Sequence, residues 1–82
     1  MKINDHVTLI TGSNGGLGTN IIRYLLENGV RNVACHYRSS SEAIAGVLTE
    51  FDLNPEKHLF YAELTDENDV QKMRDEITDK LG

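Results

Sequence analysis

Short blocks of β-branched and apolar residues alternate along this chain with longer stretches whose apolar positions recur every three or four residues. His6 to Thr11 (H-V-T-L-I-T) is the first short block and predicts a β-strand closed by glycines. From Gly16 onward, Leu17, Ile21 and Leu25, and then Ile22 and Leu26, recur at three- and four-residue spacing, which predicts a helix. Asn28-Gly29 ends that helix. Asn32 to Tyr37 (N-V-A-C-H-Y) predicts a second strand. Ser39 and Glu42 then have the spacing of a capping box. Behind them Ile44, Val47, Leu48 and Phe51 form an apolar stripe, and Pro55 forbids its continuation. His58 to Ala62 predicts a third strand, and Thr65 or Asp66 caps a last helix with Val70, Met73, Ile77 and Leu81 on one face.

Three strands alternating with three helices predict right-handed βαβ units, hence an α/β fold with a parallel sheet. With strand order 3-2-1, the first two helices lie on one face and the last helix on the other. The acidic residues Asp66, Glu67 and Asp69 need no catalytic reading, because carboxylates in a first turn complement the helix dipole.

Composition narrows the function classes. Hydrophobic residues make up 39% and charged residues 26%, a globular balance, and no apolar run approaches the roughly 20 residues that cross a bilayer. No secretory signal pattern opens the chain. The net charge of −5 argues against a broad nucleic-acid footprint. A single cysteine, Cys35, cannot pair internally, which implies a reducing, cytoplasmic setting. Cys35 sits between apolar neighbours as a small buried hydrophobe. His6, His36 and His58 lie on different strands without ligand spacing, so no metal site is expected. Tyr24 and Tyr61 are expected to contribute to packing.

The candidate chemistry lies in T-G-S-N-G-G-L-G, Thr11 to Gly18, between a strand and a helix. Glycine costs conformational entropy on folding, so clustering it has a reason. In a βαβ unit, Gly12 permits the tight turn, Gly16 lets the backbone approach a pyrophosphate, and Gly18 allows close helix–strand packing. The unsatisfied N–H groups of the helix start, aided by its dipole, then face the anion. A P-loop would need a lysine that this segment lacks. Asn14-Gly15 suits a hairpin turn, but the residues after it have helical period and not alternation.

The spacing T-G-x-x-x-G-x-G resembles the cofactor loop of the short-chain dehydrogenase/reductase family, and the resemblance runs through the whole chain. It implies a truncated Rossmann half, βαβαβα, with a three-stranded parallel sheet of order 3-2-1, and a single partial dinucleotide-binding domain over 1–82. Gly12, Gly16 and Gly18 match the family glycines, and Ser13, Asn14 and Leu17 occupy loop positions beside the phosphates. E-L-T-D, Glu63 to Asp66, falls where the family usually has D-V-T-D. Glu63 thus stands where an aspartate usually meets the adenine, and Leu64 lines the adenine pocket.

The end of the second strand, about 20 residues beyond the loop, meets the adenosine ribose. It reads His36-Tyr37-Arg38-Ser39-Ser40, with no acid until Glu42. Arg38 offers a permanently charged planar fork suited to a 2′-phosphate, and Ser39 adds a hydroxyl. Tyr37, Arg38 and Ser39 are therefore the expected ribose contacts, and the expected cofactor is NADP(H) in preference to NAD(H). Gly15 stands where many NADP(H)-using relatives carry a second basic residue. The H-Y-R-S-S-S-E-A stretch looks most like reductases of the 3-oxoacyl-carrier-protein or acetoacetyl-CoA type, with pteridine-reductase-like members close behind.

Family members carry their chemistry further along, in an N-N-A-G segment, a catalytic serine and a Tyr-x-x-x-Lys pair; these 82 residues contain no N-N-A-G, and no lysine stands four residues after any tyrosine. The expectation is an NADP(H)-binding N-terminal fragment, without catalytic residues of its own, whose intact relatives reduce carbonyls by hydride transfer. The alternative is a non-catalytic nucleotide-binding or self-assembling structural module. With no fourth strand beside the first, the bare edge invites pairing. Val7, Leu9, Ile10, Val33, Leu59 and Phe60 are also expected to be too many for so few helices to bury. Both points predict a homo-oligomer, formed through the first-strand edge or an uncovered sheet face.

Overall fold

The computed structural model describes residues 7–12 and 16–82. In chain order the elements are β1 (Thr8–Ile10), α1 (Gly16–Glu27), β2 (Val33–Tyr37), α2 (Glu42–Glu50), α3 (Pro55–His58), β3 (Leu59–Tyr61) and α4 (Glu67–Leu81). The sheet is parallel throughout, in the spatial order β1-β2-β3, which is the expected 3-2-1 order read from the other edge. Thr8 pairs with Val33 and Ile10 with Cys35, while Cys35 pairs with Leu59 and Tyr37 with Tyr61. All three strands therefore end along the same margin of the sheet.

Side chains alternate across the strands and sort into two cores. On one face Val7, Leu9, Ala34, Phe60 and Ala62 meet Met73, Ile77 and Leu81 of α4. On the other, Val33 and Cys35 meet Ile22 and Leu26 of α1 and Ile44, Val47 and Leu48 of α2. Two helices on one face and one on the other is what right-handed crossovers require here.

Helix ends follow from local chemistry. After α1, Gly29 adopts φ +87°, its N–H donates to Leu26 O, and Val30 N–H reaches Leu25 O at 3.0 Å. That is a Schellman stop, with Val30 and Leu25 packed together on the second core. α2 ends the same way: Asp52 at φ 60° donates to Thr49 O and Leu53 N–H to Leu48 O. The start of α4 is capped by Asp66, whose carboxylate accepts from Asn68 N and Asp69 N.

Four expectations change. The capping box of Ser39 and Glu42 does not form: the N-cap of α2 is Ser41, without a side-chain cap bond, and Glu42 is already helical. Pro55 opens a helix as well as following one, since Asn54 caps α3 and Pro55 takes its first position, where a missing N–H costs nothing. The third strand begins at Leu59, because His58 belongs to that short helix. Finally, Val7, Leu9, Val33 and Phe60 are buried and Ile10 and Leu59 partly so, within one chain. α4 covers more of its face than a helix count suggests, so an uncovered sheet face is not a ground for self-association.

Candidate functional site

The shared margin of the sheet gathers the residues that the sequence singles out. β1 delivers the chain to Thr11 and Gly12, β2 to Arg38 and Ser39, and β3 to Ala62, Glu63 and Leu64. Gly12 turns the chain out of β1 with φ +64°, a conformation that L side chains rarely adopt. Ser13, Asn14 and Gly15 lie outside the described residues, as does His6. α1 then starts at Gly16, with Leu17 exposed and Gly18 buried.

Two features of this margin suit an anion. A Cβ built on Gly12 or on Gly16 meets no atom within 4 Å, so protein packing does not require either position to lack a side chain. The first turn of α1 also contains no carboxylate, whereas α2, α3 and α4 carry Glu42, Glu56 and Glu67 there. The positive end of the α1 dipole is left without an internal counter-charge.

Arg38 follows β2 with its side chain 73% exposed, and its Nε lies 3.0 Å from Glu63 Oε2. Glu63 also accepts from the Thr65 hydroxyl at 3.2 Å, and its backbone N–H donates to Asp69 Oδ2. Sequence reasoning placed Arg38 and Glu63 at separate parts of a ligand, one at the ribose and one at the adenine. The structure brings them together as an ion pair between the ends of β2 and β3. Tyr37 is half-buried and meets Tyr61 edge-on, ring centroids 6.0 Å apart. Ser39 and Leu64 are exposed beside them.

His36 is the residue that sequence reasoning passed over. It is buried on β2, and its Nδ1 accepts from Gly12 N–H at 3.2 Å while its Nε2 lies 2.8 Å from Ala62 O. A backbone N–H only donates and a carbonyl only accepts, so Nδ1 is bare and Nε2 carries the proton. One neutral imidazole thus ties the ends of β1, β2 and β3 together. The available signal was a polar side chain inside the apolar run V-A-C-H-Y, two positions before Arg38.

The other titratable groups are structural. Burial pushes the Cys35 thiol up to about 12, which leaves no thiolate for nucleophilic chemistry. His58 donates through Nδ1 to Val33 O at 2.8 Å, and desolvation pulls it below the usual imidazole range. Tyr24 and Tyr61 are 65% and 53% exposed, so neither serves the core as expected. Among the described residues, no group of three or more His, Cys, Asp or Glu stands where a metal could be held. No helix among them is long and apolar enough to cross a membrane.

Comparison with protein families matches residues 6–82 to the short chain dehydrogenase family. Searches of curated proteins and of solved structures find no significant match.

Proposed function

Since the chain belongs to the short-chain dehydrogenase family, a family that typically binds nicotinamide dinucleotides, we propose that it binds NADP(H) across the C-terminal ends of its three strands. In this reading the pyrophosphate rests against Gly12, Ser13, Asn14, Gly16, Leu17 and Gly18 at the start of α1. Tyr37, Arg38 and Ser39 hold the adenosine ribose with its 2′-phosphate, and Glu63 and Leu64 border the adenine. The bound dinucleotide supplies or accepts hydride. This chain's own residues bind its phosphate-rich end; the Tyr-x-x-x-Lys pair that moves the proton in the family is not among these 82 residues.

The observation that carries the reading is Arg38. It is exposed at the position that reads the ribose, no carboxylate precedes it at the end of β2, and its ion pair uses Nε. The side chain stays largely exposed in that pair, and a guanidinium offers a planar fork of donors that suits a phosphate. Glu63 offsets that charge in the unliganded protein.

Within the family, the H-Y-R-S-S-S-E-A stretch favours a carbonyl reductase of the 3-oxoacyl-carrier-protein or acetoacetyl-CoA type. A reducing, cytoplasmic setting accords with the single buried cysteine. A second reading, a self-associating module, draws on a different observation. Leu17, Ile21 and Tyr24 form an exposed stripe on α1, and β1 has one strand neighbour among the described residues. Light scattering at high concentration tests it, and a monodisperse monomer overturns it.

The binding reading is tested by calorimetric titration with NADP+, NAD+ and 2′-phospho-ADP-ribose. The expected result is saturable binding that prefers the 2′-phosphorylated compounds. Arg38→Ala is expected to weaken NADP+ by about tenfold or more and NAD+ by no more than about threefold, the scale of one charge-assisted phosphate contact. Equal affinities for NADP+ and NAD+ in the parent chain would overturn the 2′-phosphate assignment.

A further inference from the structure

We propose that His36 is a positioning residue that sets the start of the glycine loop, by holding Gly12 at a fixed place over the ends of β2 and β3. The functional half of this inference rests on the dinucleotide reading above. The structural half does not.

Gly12 is where the chain leaves the sheet, and its left-handed backbone has no side chain with which to anchor itself. Its N–H is instead spent inward, on His36 Nδ1. The imidazole is held in turn by its second nitrogen, which donates to Ala62 O, and Ala62 N–H donates to Tyr37 O at 3.4 Å. A closed chain of bonds therefore runs from the glycine loop through the β2 side chain to the end of β3 and back to the β2 backbone. Arg38 comes two residues after His36, and Glu63 directly follows Ala62. The same clamp thus fixes the placement of Gly12 relative to the Arg38–Glu63 pair. Binding that spans both parts needs them held in one geometry before the ligand arrives, since ordering them on binding costs affinity.

The burial of His36 strengthens the point. A polar ring with about 3% of its surface exposed needs both nitrogens satisfied, and here each has one backbone partner of the right kind. An apolar residue at this position would fill the space equally well for the core. It would leave the Gly12 N–H and the Ala62 carbonyl to find other partners. The ring is consequently a connector between backbones that packing alone does not join.

Two substitutions separate the roles of the two nitrogens. His36→Asn keeps an acceptor near the place of Nδ1 and loses the reach to Ala62. His36→Gln keeps a donor near the place of Nε2 and loses the acceptor for Gly12. The experiment compares both variants with the parent chain by three measurements: urea stability, hydrogen exchange of the Gly12 amide, and calorimetric affinity for NADP+. Asn is expected to keep the Gly12 amide protected and the affinity within about threefold. Gln, at similar stability, is expected to lose that protection and bind about tenfold more weakly, the scale of one buried hydrogen bond.

An equal fall in protection and affinity in both variants, in step with stability, would reduce His36 to a packing residue and overturn the proposal. Unchanged protection in His36→Gln would overturn it as well. If the parent chain binds no NADP+, the dinucleotide reading fails, while the difference in Gly12 protection still decides the clamp. If neither variant folds, the parent chain decides alone through the nitrogen-15 shifts of the imidazole. A bare Nδ1 with a trans-hydrogen-bond coupling to Gly12 supports the clamp, and a proton on Nδ1 overturns it.

Discussion

At the scale of single residues, backbone conformation and burial decide more than side-chain identity does. Gly12 has open space around it but φ +64°, so Gly12→Ala meets no clash and is still strained. The cost is expected to be about 1–2 kcal/mol, readable as a lowered urea midpoint with an unchanged slope. His58 makes a pH prediction. Its folded value is depressed by desolvation below the ordinary 6.5, so the unfolded chain binds its proton first as pH falls. The stability tied to neutral His58 is complete above 6.5 and drains as pH drops through the folded value. Urea midpoints at pH 7.5 and 5.5 should show the decline. His58→Asn, which keeps a donor for Val33 O, should remove part of it. Cys35 should resist a thiol reagent in the native protein and react on unfolding, because burial holds it protonated.

At the scale of elements, the caps carry the testable content. Asp66 satisfies two N–H groups at the start of α4, and Asp66→Ala is expected to cost about 1 kcal/mol. Asp52 occupies the left-handed position that ends α2, a place where glycine is normally preferred. Asp52→Gly is therefore expected to raise stability by about 0.5–1 kcal/mol, an unusual sign for a substitution to glycine. A thermal melt showing a lower midpoint for Asp52→Gly would contradict this account of the helix end. The helices themselves were legible because Ile22 and Leu26, Ile44 and Leu48, and Met73 and Ile77 repeat at helical spacing. α3 was not legible: four residues give no period, and Pro55 reads equally well as a stop and as a first helical residue.

At the scale of the whole molecule, two cores on either side of a three-stranded sheet hold one another in place. Ile77→Ala on the α4 face and Ile44→Ala on the α1–α2 face each remove a fully buried side chain. Each is expected to cost about 2–5 kcal/mol. With single-chain cooperativity, both should shift far-ultraviolet circular dichroism and near-ultraviolet signals together. The sequence led to an overestimate of exposed apolar surface here. Pattern shows which residues are apolar, but how much area a fifteen-residue α4 covers depends on its angle across the strands, which no local pattern contains.

What the sequence determined by itself was the alternation of strands and helices, the parallel order, the sides taken by the helices and the glycine turn before α1. These come from periodicity, from the handedness of crossovers and from residues whose backbone preferences are intrinsic. Tertiary structure alone decided that Arg38 pairs with Glu63, that His36 joins Gly12 to Ala62, and that α4 closes its face of the sheet. Those partners lie about 25 residues apart along the chain. Only the register of three parallel strands, which is a property of the folded sheet, sets them side by side.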